Sequence, residues 1–360
     1  MHLVPGETGG GETYVRRLTP ALLAARDDLR LTLFAASEAY PSLVAEPWAG
    51  DVSIVRLPLQ ARSRVRRVLA EQTLLSRAAG RARVELLHNT LNTAPAFPGV
   101  PQVTTIHDVI YKRFPETAGG LNLGVALLVP LAARRSRRVL TVSQAAKEEL
   151  VHSLGVAPEV VDVIPNGPGL PEAPDPPAPA ELRSRFGLGG STLVLTVAAK
   201  RPHKNLGRLI EAVGQLDTDA ILLVPGLETG FGAELERRAA ERVRFLGWVD
   251  DRTLDGLYRA ATCFVLPSLA EGFGLPVLEA MVRGTPVACS RVSSLPEVAG
   301  EAALYFEPLD TRAITEALDR LLTDEQLRAR LRKAGLSQAA KFSWQSAAEG
   351  TLASYERALS

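Results

Sequence analysis

Cysteine is almost missing from this 360-residue chain, which carries only Cys263 and Cys289. Each lies in a short apolar run and the two share no paired spacing. That excludes a disulfide framework and a cysteine metal site, and fits reduced core residues of a cytoplasmic protein. His2, His88, His152 and His203 form no close ligand spacing either. An excess of one charge is also absent: 41 Lys+Arg against 40 Asp+Glu leave a net charge of +1. No global field therefore draws the chain to nucleic acid. No secretory leader is visible, and no apolar run has membrane-spanning length. The longest candidate, Leu121–Ala133, stops short and runs into Arg134, Arg135, Arg137 and Arg138. GxSxG, P-loop and zinc signatures are missing, as is any repeat of solenoid period.

What is present is a large apolar fraction, 46%, enough for a sizeable core and, at this length, for two domains. Short apolar runs alternate with helical segments, the pattern of parallel sheets with crossover helices. Leu31–Ala36 and Val52–Leu57 read as strands, and four further runs end in polar tips. Val84–Leu87 leads to His88-Asn89-Thr90, Val103–Ile106 to His107-Asp108, Val139–Val142 to Ser143-Gln144, and Val160–Ile164 to Pro165-Asn166-Gly167. In such sheets ligands bind outside the carboxyl ends of the strands, which makes His107 the sharpest candidate in this half.

A proline-rich linker, Pro168–Pro179, marks the domain boundary, and then the alternation restarts. Leu193–Val197 leads to AAKRPHKN (Ala198–Asn205) and a helix over Leu206–Gln215. Ala220–Val224, Val243–Leu246, Cys263–Leu266 and Pro286–Cys289 follow as strands. The organisation expected is residues 1–167, a linker over 168–180, a second domain over 181–343, and a last helix over 344–360.

The second domain is organised around Ser268–Gly284, SLAEGFGLPVLEAMVRG. A buried strand ends at Pro267, a glycine loop carries Glu271, and Pro276 opens a helix that Gly284 closes. Glycines beside a helix N-terminus leave N–H groups free to face an anion, so a phosphate fits at Phe273, Gly274 and Leu275. Lys200, Arg201 and Lys204, in a loop after another strand, can neutralise a diphosphate. Glu279, one turn into the helix, can accept from vicinal hydroxyls such as a ribose, and Glu271 from a sugar ring. Asp217-Thr218-Asp219 resembles a metal–diphosphate carboxylate pair but lies at the wrong edge of the sheet, and reads as a capped turn.

Two segments at the N-terminal end stand out. GETGGGETYV places Gly6, Gly9, Gly10 and Gly11 in a loop before a helix from about Glu12, a phosphate-cradle arrangement. Such a loop normally follows a buried strand, and only His2–Val4 precedes it. Either that strand is cut short or the start codon lies inside the natural gene. Between Arg62 and Arg83 an arginine-rich helical stretch reads as a solvated face, with contact to an anionic membrane as the alternative.

These residues resemble the family-4 (group 1) glycosyltransferases, nearly end to end. The likeness is carried by GGGETY (Gly9–Tyr14), HDV (His107–Val109), VSQAAKEEL (Val142–Leu150), IPNG (Ile164–Gly167), RPHKNL (Arg201–Leu206), FLGWV (Phe245–Val249) and EGFGLPVLEA (Glu271–Ala280). The resemblance implies the GT-B fold: two Rossmann-like doubly wound α/β domains facing across a cleft. It implies transfer of a sugar from a nucleotide-diphosphate donor with retained configuration, with GDP-mannose favoured. No metal or other cofactor is implied.

By the same resemblance Lys204, helped by Lys200 or Arg201, holds the diphosphate, with N–H groups of Phe273–Leu275 and of the Gly10–Gly11 loop. Glu279 binds the ribose, Glu271 the sugar, the Gly247–Trp248–Val249 backbone the base, and His107 the donor sugar. Many members carry an arginine where this chain has Ala198 and Ala199, and the family's last helix often crosses back, which implies that 344–360 packs on the first domain. A glycan, lipid-linked sugar or small metabolite is the implied acceptor, near His88, Asn89, Tyr111 and the Arg62–Arg83 helix. The alternatives are an epimerase or sugar phosphorylase of the same architecture, or a non-catalytic nucleotide-sugar binding protein. The expected location is the cytoplasm, including the inner face of the membrane.

Overall fold

The computed structural model describes residues 3–6, 9–118, 122–238 and 242–360. His2 and Leu121, which open two of the expected segments, lie outside them. The chain divides into two compact units: Met1–Gly167 with Ser343–Ser360, and Pro168–Phe342.

In the first unit the strands are β1 (Thr32–Ala35), β2 (Ser53–Arg56), β3 (Leu87–Asn89), β4 (Gln102–Thr105), β5 (Arg138–Thr141) and β6 (Val161–Val163). All pairings are parallel, in two separate sheets of order β1-β2 and β3-β4-β5-β6. The Trp344–Leu359 helix belongs to this unit. Its Ala347, Ala348 and Leu352 share one core cluster with Tyr14, Leu18 and Leu22 of the Gly10–Ala25 helix. Asp162 ties it down, accepting from Ser354 Oγ (2.6 Å) and from Arg357 (3.1 Å). Gly167 abuts the start of that helix so closely that a Cβ there would lie 2.5 Å from the Trp344 nitrogen. That contact explains the glycine of IPNG.

The second unit holds β7 (Thr192–Leu195), β8 (Ala220–Pro225), β9 (Val243–Gly247), β10 (Cys263–Leu266), β11 (Val287–Ser290) and β12 (Ala303–Phe306). They form one parallel sheet of order β12-β11-β10-β7-β8-β9. Every residue of β7 beyond Thr192, and all of β8 and β10, is buried. Strands covered on both faces by helices read as continuous apolar runs for this reason. Leu209 and Val213 from one helix and Ile314, Leu318 and Leu321 from another close one face over Leu222 and Val265. Cys263 and Cys289 are buried free thiols in β10 and β11, and burial pushes both thiols above their usual range.

Three expectations need correction. His88 and Asn89 are not a strand tip: they lie within β3, in register with Val103 and Thr104. The preceding helix ends at left-handed Arg83, which delays the strand. Gly10 and Gly11 form the first turn of a helix rather than a loop. The proline-rich linker is no free spacer, because the Arg283 guanidinium donates to the Leu170 and Pro171 carbonyls (3.1 and 2.9 Å) and so laces it onto the second unit. β12 was not legible as a strand. The basic stretch is helical from Arg64 to Ala82, interrupted by a π turn at Glu71–Leu75. Among the described residues no helix is long and apolar enough to cross a membrane.

Candidate functional site

Three loops meet at the carboxyl ends of β7, β10 and β11. The loop after β7 ends in left-handed Asn205 (φ 56°), a conformation asparagine tolerates. Its Nδ2 donates to the Pro267 and Pro308 carbonyls (3.0 and 2.7 Å), and Leu269 N–H donates to the His203 carbonyl (2.7 Å). The loop after β10 is pinned from the other side by buried Ser294, whose Oγ donates to the Glu271 and Phe273 carbonyls (3.1 and 2.8 Å). Sequence reasoning passed over Asn205 as a pinning residue and missed Ser294. The signal for the first was a non-glycine turn residue directly before a helix.

Within this frame Lys204 and Glu271 come together. Lys204 Nζ lies 2.6 Å from Glu271 Oε1, which also accepts from buried Ser268 Oγ at 2.5 Å. Next to Glu271 the chain turns through Gly274, at φ 105°, into the Leu275–Val282 helix. A side chain at that φ is strained, and a Cβ would also press on Leu295 at 2.7 Å. The first N–H groups of a helix have no intrahelical acceptor, so its N-terminus suits an anion. Arg201 is exposed in the same loop as Lys204.

Lys200 does not join them. It is fully buried, its ammonium paired with Glu228 and Glu236 (3.1 Å to the latter) and lying 4.3 Å from the Phe245 ring centre. The reason is register: Lys200 N–H donates to the Leu227 carbonyl at 3.2 Å, which holds the residue against the β8 side.

Glu279 is buried one turn into the helix. One oxygen accepts from Leu170 N–H and the other from Tyr258 Oη, both at 3.0 Å. Burial raises its pKa, with both donors working the other way. Gly247, at φ 63°, ends β9 and accepts from Gly226 N–H at 2.8 Å, while Trp248 beside it stands 68% exposed. Asp217-Thr218-Asp219 is a turn, where Asp219 accepts from Ser191 Oγ at 3.0 Å. Among the described residues no cluster of metal-ligating side chains occurs.

In the first unit His107 sits at the carboxyl end of β4. Its N–H donates to Asn92 Oδ1 (2.8 Å) and its Nε2 lies 2.9 Å from the Thr90 carbonyl. A carbonyl only accepts, so Nε2 carries the proton. Burial lowers the imidazole pKa and keeps it neutral. Tyr14 meets the ring edge-on, with centroids 4.9 Å apart.

The three expected acceptor residues behave differently. His88 is spent on packing, with Nδ1 2.6 Å from Tyr355 Oη and Nε2 2.7 Å from Thr105 Oγ1. Asn89 is buried, its amide donating to Gln102 and to the Val103 carbonyl (3.1 and 3.3 Å). Both are corrections: ladder residues turn their side chains into the core. Tyr111 keeps a buried hydroxyl without a hydrogen-bond partner among the described residues, and burial raises its pKa to about 12.

Residues 180–338 match the family described as Glycosyl transferases group 1, and residues 8–168 match Glycosyltransferase Family 4. The O-antigen chain mannosyltransferase B of Escherichia coli is 33% identical over 241 residues, 61% of each chain. The MMP alpha-(1->4)-mannosyltransferase of Mycolicibacterium hassiacum is 33% identical over 281 residues, 72% of this chain and 66% of that one. The chain thus spans under two thirds of these relatives' lengths. HepE of Anabaena, solved with UDP and glucose, superposes with a TM-score of 0.77 at 22% identity, covering 98% of this chain and 97% of the other. Sucrose-phosphate synthase of Thermosynechococcus elongatus also gives 0.77, at 25% identity, covering 97% and 93%. With two parallel α/β units and both halves matched, the chain is a member of the family-4 (group 1) glycosyltransferases, with the GT-B fold.

Proposed function

We propose that the chain is a retaining hexosyltransferase that takes a nucleotide-diphosphate sugar, GDP-mannose favoured, and glycosylates a glycan, lipid-linked sugar or small molecule. The observation that carries this reading is the Lys204–Glu271 pair beside the Gly274 turn into the Leu275–Val282 helix. A cation and a helix N-terminus in one place fit a diphosphate, and a carboxylate at their side fits sugar hydroxyls. The mannosyltransferase names of the two relatives support the sugar, and the UDP and glucose of HepE support a nucleotide-sugar donor.

In this reading Lys204, Arg201 and the N–H groups of Phe273–Leu275 hold the diphosphate, Glu279 the ribose, and Gly247–Val249 the base. The bond between the anomeric carbon and the diphosphate breaks first, giving an ion-pair-like step. The acceptor oxygen then bonds to the same face of the carbon, and its proton passes to the departing diphosphate oxygen. Catalysis is positioning and electrostatic stabilisation, with no side chain as covalent nucleophile. The charge is met by Lys204 and main-chain N–H groups, so turnover is expected to persist in a chelator. The first unit takes the acceptor, with His107 toward the sugar and Gly10–Gly11 offering first-turn N–H groups. The arginines between Arg62 and Arg83 are the surface for an anionic bilayer, to be checked by co-sedimentation with anionic and neutral vesicles.

Thermal shift with GDP, UDP, dTDP and ADP and their sugars, with and without magnesium, tests the reading. Stabilisation by one diphosphate family without metal is expected. A cooperative melt unmoved by all of them sinks it. An epimerase would convert the donor without acceptor, a phosphorylase would depend on inorganic phosphate, and a binding protein would show affinity without turnover.

A further inference from the structure

Glu279 is held by more than its own helix. Its Oε1 accepts from Leu170 N–H and its Oε2 from Tyr258 Oη, both at 3.0 Å. The two donors differ in kind. A hydroxyl hydrogen turns about its bond, whereas a main-chain N–H points wherever its peptide is held. The place of Oε1 therefore depends on what fixes the peptide of Leu170, which lies in a segment with no helix or ladder of its own.

Arg283 fixes it. This residue follows Glu279 by one turn, at the end of the Leu275–Val282 helix. Its Nη2 donates to the Leu170 and Pro171 carbonyls (3.1 and 2.9 Å), its Nη1 to the Glu279 carbonyl (3.1 Å) and its Nε to Asp255 Oδ1 (2.6 Å). Asp255 comes from the Asp251–Ala260 helix, and its other oxygen accepts from Arg259 Nε at 2.8 Å. The Asp255 and Arg283 side chains are both 0% exposed. Burying such a pair costs desolvation that its attraction does little more than offset. What the pair provides is geometry: one planar fork ties the helix that carries Glu279 to the peptide that donates to Glu279. An ammonium is a compact point charge, and cannot hold Asp255, the helix end and two linker carbonyls in that plane. Burial raises the Glu279 pKa and Arg283 draws it back, which favours the ionised acceptor that ligand hydroxyls need.

We propose that Arg283, braced by Asp255, is a positioning residue for donor recognition: through Leu170 it fixes the Glu279 carboxylate to accept from the vicinal hydroxyls of the donor's ribose. This role rests on the reading of Glu279 as the ribose contact. Each carboxylate oxygen retains a second lone pair beyond its protein donor, and these acceptor sites keep one direction only while Leu170 is held.

Titration calorimetry with GDP and 2′,3′-dideoxy-GDP, and with UDP and 2′,3′-dideoxy-UDP, separates positioning from folding. The parent should prefer the ribonucleotide by about tenfold or more, the scale of hydrogen bonds to a charged group. Arg283→Lys keeps the charge but not the fork, and should cut that preference to about threefold or less while the dideoxy affinity stays within about twofold of the parent. If Arg283→Lys gives no cooperative melt, Leu170→Pro removes the single N–H, keeps the Asp255–Arg283 pair, and is read by the same ratio. A preference retained in the folded variant overturns the proposal. So does an equal loss of both affinities, which is the mark of a merely structural pair. A parent that binds the diphosphates but ignores the ribose hydroxyls removes the role of Glu279, and the proposal with it. A parent that binds neither GDP nor UDP refutes the donor reading itself, and the proposal falls for that separate reason.

Discussion

Lys204 donates to Glu271 across 2.6 Å and so joins the loop after β7 to the loop after β10. The side chains are 16% and 8% exposed, too enclosed for a casual surface pair and too accessible for a core one. On the proposed reading, a ligand's own charges and hydroxyls take the place of that contact.

Replacing Lys204 with alanine should lower kcat/KM by about 100-fold or more, the usual scale for one electrostatic donor at a developing anion. Its melting temperature should fall as well, because the enclosed Glu271 carboxylate loses its cation and keeps Ser268 Oγ as a donor. Steady-state kinetics and a thermal melt decide together, and near-normal turnover in the folded variant defeats the diphosphate role.

Glu279 has a structural task beside the proposed one. Glu279→Ala should weaken nucleotide-sugar binding and also cost about 1–3 kcal/mol of stability, by leaving Leu170 N–H and Tyr258 Oη buried without an acceptor. Tyr258→Phe isolates the structural part: a small stability loss with donor affinity unchanged. Calorimetric affinities for the two variants that fall equally would remove the ribose role.

Lys200 should not matter to the donor. Lys200→Met replaces a buried ammonium by an apolar side chain of similar volume, a change often neutral in stability once the partner glutamates, about half exposed, return to water. Nucleotide affinity should stay within about twofold of the parent (kT-scale, well under the tenfold that 1.4 kcal/mol gives). A tenfold drop by titration calorimetry would restore Lys200 to the site.

Acid should loosen the first unit. Burial first, and then His107, hold the His88 pKa down to about 3, against about 6.5 in an unfolded chain. Below pH 6.5 the unfolded state binds the extra proton, so stability is lost as pH falls toward 3 and is fully present above 6.5. The limiting slope for one such group is about 1.4 kcal/mol per pH unit. Urea unfolding across this range should show the loss, and His88→Gln should flatten it; an unchanged slope would place the titration elsewhere.

Much of this arrangement was legible along the chain. The Cys263–Leu266 run, Pro276 and Gly284 delimit β10 and the following helix closely, because strand burial and helix termini leave local signatures. The pairing of Lys204 with Glu271 was legible only as a shared rim. Lys200 and Lys204 look alike in sequence, yet a hydrogen bond from Lys200 N–H to Leu227 sends one inward and leaves the other at the site. His88 and His107 each follow an apolar run, but one lies inside a ladder and the other just beyond it.

The sequence by itself determined the alternation of strand and helix, the restart after the proline-rich stretch, and the family motifs, since these rest on periodicity, turn residues and spacing. Only the tertiary structure decided which like residues face the site and which the core. It also decided that β1 and β3 stand apart around a cavity. Those outcomes depend on register and packing between segments far apart in the chain, and a shift of one residue sends a side chain to the opposite face.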